Sequence, residues 1–112
     1  MPNVTFFISA EKMPSDENLS ELTEQCTQLC TEILKAKLEN VHVIYVAVCH
    51  GRGHPAFAEI KYRLEPFRTK HVMDSFMKKL DEVIKCNAGI TARIRCFGYG
   101  PTEIHAPVSY TH

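Results

Sequence analysis

Residues 19–49 read LSELTEQCTQLCTEILKAKLENVHVIYVAVC, and a change of period inside this stretch decides the fold. Leu19, Leu22, Cys26, Leu29 and Ile33 recur at steps of three and four, with Cys30 and Leu34 widening the stripe. Apolar residues one turn apart share a helix face, so the spacing predicts an amphipathic helix ending near Leu38. Met13-Pro14-Ser15-Asp16 marks its entrance, with Ser15 as the N-cap. Asp16, Glu17, Glu21 and Glu24 in its first turns, and Lys35 and Lys37 in its last, complement the helix dipole. From 41 to 49 the pattern becomes an almost continuous apolar run, VHVIYVAVC, which predicts a strand covered on both faces. Val41, Val43, Tyr45 and Ala47 fall on one parity of that strand, and Ile44, Val46 and Val48 on the other.

Working outward, residues 2–9 (PNVTFFIS) are rich in β-branched and aromatic types and read as a first strand. HGRGHP at 50–55 is a turn, and residues 56–64 (AFAEIKYRL) form a third strand that Glu65-Pro66 breaks. Val72, Met73, Phe76, Met77, Leu80, Val83 and Ile84 set a second helix from about Thr69 to Lys85, and Asn87-Ala88-Gly89 is its stop signal. A fourth strand follows at about 90–97 (ITARIRCF). The reading is an α/β domain spanning 1–112. It has two consecutive βαβ units, about 2–50 and 56–99, forming a four-stranded sheet with two helices on one face. An irregular tail covers 100–112. Two helices leave the other face bare, yet strand two is apolar on both parities, so a second subunit is the simplest cover.

Composition narrows the function. Thirteen basic residues balance thirteen acidic ones with no long single-sign run, which argues against a nucleic-acid or membrane-surface protein. The opening MPNVTFF lacks the layout of a signal peptide, and no run nears the ~20 apolar residues of a bilayer span. Five cysteines, an odd and dispersed set, fit reduced thiols in a cytoplasmic protein.

Three groups of residues could carry chemistry. Met1-Pro2 is the first: loss of Met1 would expose a secondary amine, which an apolar pocket or nearby cations would tune toward a base at neutral pH. The plainer reading is that Pro2 opens an edge strand, where its missing N–H does no harm. Basic residues are the second group. Lys61 and Arg63 share one parity of strand three, and Arg68, Lys70 and His71 crowd the start of helix two, where the dipole disfavours cations. An anion bound among them would resolve that conflict, and arginine grips a carboxylate in bidentate fashion; otherwise they form a solvated rim. Lys12 and His42 are further polar candidates. Cys26 and Cys30 lie on the helical stripe as small hydrophobes, and Cys49, His50 and His54 lack the spacing of a zinc site. Phe97-Gly98-Tyr99-Gly100-Pro101 either lines a pocket or simply turns the chain.

With these residues in place, the chain resembles the tautomerase superfamily over essentially its whole length. Members carry a catalytic proline directly after the initiator methionine and are built from βαβ units; larger subunits, of the macrophage migration inhibitory factor type, hold two units and assemble as trimers. The opening MPNVTFFISAEKMPSDENLSEL looks like that of the cis-3-chloroacrylic acid dehalogenase branch, as does the stretch from Phe57 to Arg68. The resemblance implies that Arg63 and Arg68 hold a substrate carboxylate, the latter with Pro66-Phe67 as a small insertion. Lys12 and His42 stand where 4-oxalocrotonate tautomerase has substrate-binding arginines. Cys96 falls where the dehalogenase has a catalytic tyrosine, and Glu103 is the only acid near enough in the tail to activate water, which puts dehalogenation in doubt. The expectation is a homotrimeric tautomerase or isomerase in which Pro2 moves a proton on a small carboxylated enol or keto acid. No cofactor or metal is implied. Its rivals are a hydratase or dehalogenase on the same scaffold, and a non-enzymatic ferredoxin-like binding module with the same element order.

Overall fold

A computed structural model describes residues 1–107. Strand β1 (Asn3–Ser9) leads through a 3-10 turn (Ala10–Lys12) into helix α1 (Asp16–Glu32), and a second such turn (Leu38–Asn40) leads into strand β2 (His42–Val48). Strand β3 (Ala56–Arg63), helix α2 (Lys70–Ala88) and strand β4 (Ala92–Tyr99) repeat the arrangement. The sheet order is β2-β1-β3-β4. β1 runs parallel to β2 and β3 parallel to β4, as crossover helices require, while β1 and β3 join the two units antiparallel. The expected pair of βαβ units is therefore the observed architecture.

Alternation assigns the faces. Val4, Phe6 and Ile8 of β1, with Ala58, Ile60 and Tyr62 of β3, point at the helices and are buried. Leu22, Cys26 and Cys30 of α1 and Met73, Phe76, Leu80 and Ile84 of α2 meet them. Phe6 stacks on Tyr45 across β1 and β2 at 5.2 Å between centroids, and the Tyr45 hydroxyl ties β2 to α1 through Thr23 at 2.8 Å. Ser15 and Thr69 cap the helices by accepting the Asn18 and Val72 amides. Gly89, at φ 64°, ends α2 in the left-handed conformation that glycine adopts without penalty.

Three boundaries differ from the pattern. α1 stops at Glu32 rather than near Leu38: Lys35 takes φ 57°, and the Ala36 amide turns back onto the Cys30 carbonyl at 3.1 Å. Leu34 is fully buried, so the apolar spacing continues after the helical backbone has ended. α2 runs three residues past Lys85 to its glycine cap, and β4 begins at Ala92, opposite Ala56, because Gly89 first reverses the chain. The expected irregular tail holds a 3-10 turn at Pro101–Glu103, and residues 108–112 lie outside the described residues.

The face away from the helices is mixed. Ile44 is 55 % exposed and Val46 36 %, so the apolar second parity of β2 lies open on a single chain. Phe7 stacks on Phe57 beside them, with the Arg93 guanidinium over the Phe57 ring.

Gly98, on the other face, lies close against two side chains. A Cβ built there would lie 2.6 Å from Leu64 Cδ2 and 2.9 Å from the Tyr62 hydroxyl, both closer than van der Waals contact allows. Gly98→Ala should therefore destabilise the fold by about 1–3 kcal/mol through overpacking, read as a lower urea midpoint at unchanged slope.

Candidate functional site

Pro2 sits immediately before β1, and β1 is an interior strand of the sheet, bonded to β2 on one side and β3 on the other. The edge-strand reading of Pro2 is thereby corrected. With no N–H, its nitrogen adds nothing to the ladder, while its carbonyl accepts the His42 amide at 3.1 Å. Its ring is almost fully buried, which fixes the start of the chain against the body of the protein.

Met1 projects from this anchor between two clefts and lines both. One, of about 350 Å³, is bounded by Arg63, Arg68, Lys35 and Lys37 together with one acid, Glu65, and by Phe67. The other, of about 550 Å³, opens on the bare face of the sheet beside Asn3, Thr5, His42 and Lys61. Removing Met1 would place the Pro2 nitrogen at their junction.

The cationic cleft is organised around Arg68. Its Nε donates to the Leu34 carbonyl at 2.9 Å and its Nη1 to the Arg63 carbonyl at 2.7 Å, while its guanidinium lies over the Phe67 ring. Neutral carbonyls hold the group in place without cancelling its charge. Burial, followed by the charges of Arg63 and Arg68, holds the Met1 amine below the ordinary value of a chain terminus.

The sequence-derived candidates are distributed unequally. Arg63 and Arg68 converge on the Met1 cleft, whereas His42, opposite Asn3 in the register, lines the neighbouring one. Lys12 does not join either: it follows the far end of a seven-residue strand, roughly 23 Å from Pro2 at ~3.3 Å per residue. The basic cluster also divides. Lys61 pairs with Glu59 at 3.6 Å on the bare face, and Lys70 pairs with Asp74 at 2.8 Å along α2. Cys96 faces the helices, and burial pushes its thiol up to about 12, so it is no ready acid in place of a tyrosine. Glu103 accepts the Gly100 amide at 2.7 Å and lines neither cleft. Lys35 and Lys37 are the site residues that the pattern missed, having been read as the end of α1. Among the described residues no three His, Cys, Asp or Glu side chains converge as metal ligands, and no helix is long and apolar enough to cross a membrane.

A four-stranded sheet built from two βαβ units also describes a set of solved structures. The macrophage migration inhibitory factor-like protein of Entamoeba histolytica superposes with a TM-score of 0.74 at 15 % identity, covering 95 % of each chain. N1, a member of the cis-3-chloroacrylic acid dehalogenase family, gives 0.78 at 13 % identity, over 94 % of this chain and 80 % of that one. A fused 4-OT symmetric trimer gives 0.79 at 13 % identity, over 95 % and 94 %. This chain has the tautomerase-superfamily fold. No family model matches it, and no curated protein matches it in sequence. Within that fold, the expected arginine pair stands beside the chain terminus, and two lysines accompany it.

The electrostatic link between the terminus and the arginines can be measured on protein that retains Met1. After reductive ¹³C-methylation, the pH titration of the terminal methyl resonances should move to higher pH in Arg63→Ala, because losing a neighbouring cation favours the protonated amine. An unmoved titration would detach Arg63 from the terminus.

Proposed function

We propose that the chain, once Met1 is removed, is a tautomerase or isomerase that moves a proton on a small carboxylated enol or keto acid. The observation that supports this most is the position of Pro2, buried at the head of an interior strand and bonded through its nitrogen to Met1, which lines a cleft bounded by Arg63 and Arg68. A proline amide has no basic lone pair at neutral pH, whereas a terminal proline is a secondary amine. The surroundings that lower the Met1 amine would act on that amine too, leaving more of it deprotonated and able to accept a proton.

In this reading Arg68, tethered by two backbone carbonyls, holds the substrate carboxylate with Arg63. Lys35 and Lys37 deepen the positive field. Pro2 takes a proton from the carbon or hydroxyl that the carboxylate contact places beside it, and returns it one position along the conjugated system. The enolate formed between these steps bears negative charge, which fixed cations stabilise more than they stabilise the neutral carbonyl. The chemistry draws on the chain's own amine and guanidinium groups. Cys96 and Glu103 supply no placed acid or base for activating water, which favours proton transfer over hydration or dehalogenation.

We also propose a homotrimer. Solved neighbours of the same fold are described as 4-OT trimers, and Ile44, Val46 and Phe57 offer apolar surface on the bare face of the sheet. Lys12, at the opposite end of β1, reaches a Pro2 site only if another subunit carries it there.

Two measurements test this reading. Turnover of phenylenolpyruvate or 2-hydroxymuconate should be confined to Met1-free protein, with at least a hundredfold separation, about what general acid–base catalysis contributes. Equal rates with and without Met1 would rule out the proline mechanism. Sedimentation at micromolar concentration should give three times the 12.7 kDa chain mass, and a monodisperse monomer would rule out the trimer.

A further inference from the structure

A third cleft lies on the helix side of β4, against the start of α2, and the proton-transfer reading makes no use of it. Its space is about 560 Å³, within the range of small-ligand pockets. Met73, Met77 and Ile94 make an apolar floor, and methionine adapts readily to the shape of a guest. Arg68 and Lys70 line it against a single acid, Asp74, which Lys70 already engages at 2.8 Å; Arg95, which leaves β4 on the opposite parity, borders it at the strand's open edge. Arg68 and Arg95 therefore bring two cations with no carboxylate partner among the described residues. Their own hydrogen bonds run to neutral carbonyls, those of Leu34 and Arg63 for Arg68 and that of Ile94 for Arg95.

Tyr62 is the independent sign of a ligand. Its side chain is only 8 % exposed, and it lines this cleft. Its hydroxyl makes no hydrogen bond among the described residues. Among the described residues no fully buried side-chain oxygen lacks a partner, and Tyr62 is one of the residues that line the cleft. The absence of a side chain at Gly98 makes room for it, since a Cβ at that position would lie 2.9 Å from the phenol oxygen. A hydrogen-bond donor with its ring fixed in the core therefore shares a cleft with two guanidinium groups that are in no ion pair, and with an apolar floor.

We propose that this cleft is a second binding site, for a small monocarboxylate with an apolar body. The carboxylate accepts from the Tyr62 hydroxyl and from the Arg68 and Arg95 guanidinium groups, while its body lies on Met73, Met77 and Ile94. Arg68 lines both this cleft and the one at Met1, so one tethered guanidinium stands between two anion sites. The proposal rests on binding alone and stands or falls independently of any chemistry at Pro2.

The test is a ¹⁵N–¹H titration with benzoate. Amides of α2 from Lys70 to Met77, and those of Arg95 and Cys96, should shift in a saturable manner. Tyr62→Phe keeps the packed ring and should weaken this binding roughly fivefold, the worth of one net hydrogen bond. Met77→Trp should fill the cleft and abolish it. Arg63→Ala, which disturbs the Met1 cleft but keeps the backbone carbonyl that holds Arg68, should leave these shifts in place. Benzoate shifts confined to the Met1 cleft, or parent-like affinity in Tyr62→Phe or in Met77→Trp, would overturn the proposal.

Discussion

β1 is held on both edges, and the register of that double pairing governs where every other group stands. Asn3 lies opposite His42 on one side and Lys61 on the other, and the pairing continues in step along the strand. A slip of one residue would turn Val4, Phe6 and Ile8 out of the core and Thr5 and Phe7 into it. The buried set therefore locks the strand, and the locked strand fixes Pro2 one residue before Asn3. The chain terminus, ordinarily the least constrained part of a protein, is pinned at one end of the sheet beside Arg63, the last residue of β3.

The same register divides the labour between the faces. Residues that pair across the sheet share a face, so Thr5 and Glu59 stand together on the bare side while Val4 and Ile60 stand together under the helices. On the helix side a Cβ at Gly98 would collide with the Leu64 and Tyr62 side chains. The bare side, by contrast, keeps apolar β2 and β1 residues near Phe57, with the Arg93 guanidinium over its ring. A strand half-buried on one parity and apolar on both suits a protein whose second face is also covered.

Much of this was legible in the sequence because hydrophobic period is a direct imprint of burial. The helical stripes of α1 and α2, the cap at Ser15, and the stop at Gly89 all follow from local spacing and local backbone chemistry. The end of α1 was not legible. Leu34 keeps the helical rhythm and is fully buried, but reaches the core from a segment that has already left the helix through Lys35. Spacing reports burial, and burial does not distinguish a last helical turn from an extended segment lying along the same core. That one ambiguity concealed the site's two lysines. The distance between Lys12 and Pro2 was illegible for a different reason. Both are close in sequence to β1, but an extended strand separates its ends more than any other element of its length. Arg63 and Arg68 could be paired from sequence because only four residues, the break at Glu65-Pro66 among them, lie between them.

How Arg68 is held bears on what it can do. An arginine fixed by a carboxylate is well placed, but its charge is largely spent on its partner. One left free keeps its charge, yet an incoming anion must then order a side chain carrying about 2 kcal/mol of rotamer entropy. Arg68 escapes both limits. The Leu34 and Arg63 carbonyls take its Nε and Nη1 hydrogens and leave Nη2, the remaining corner of the fork, without a hydrogen-bond partner among the described residues. The ordering cost is met during folding, and the positive charge remains for a ligand. The tether depends on the irregular exit from α1, because a helix continued to Leu38 would have engaged the Leu34 carbonyl in its own ladder. The break that hid the lysines from the sequence is thus also what frees an acceptor for Arg68. A helix end, a backbone turn and an anion site are in this way one piece of local chemistry.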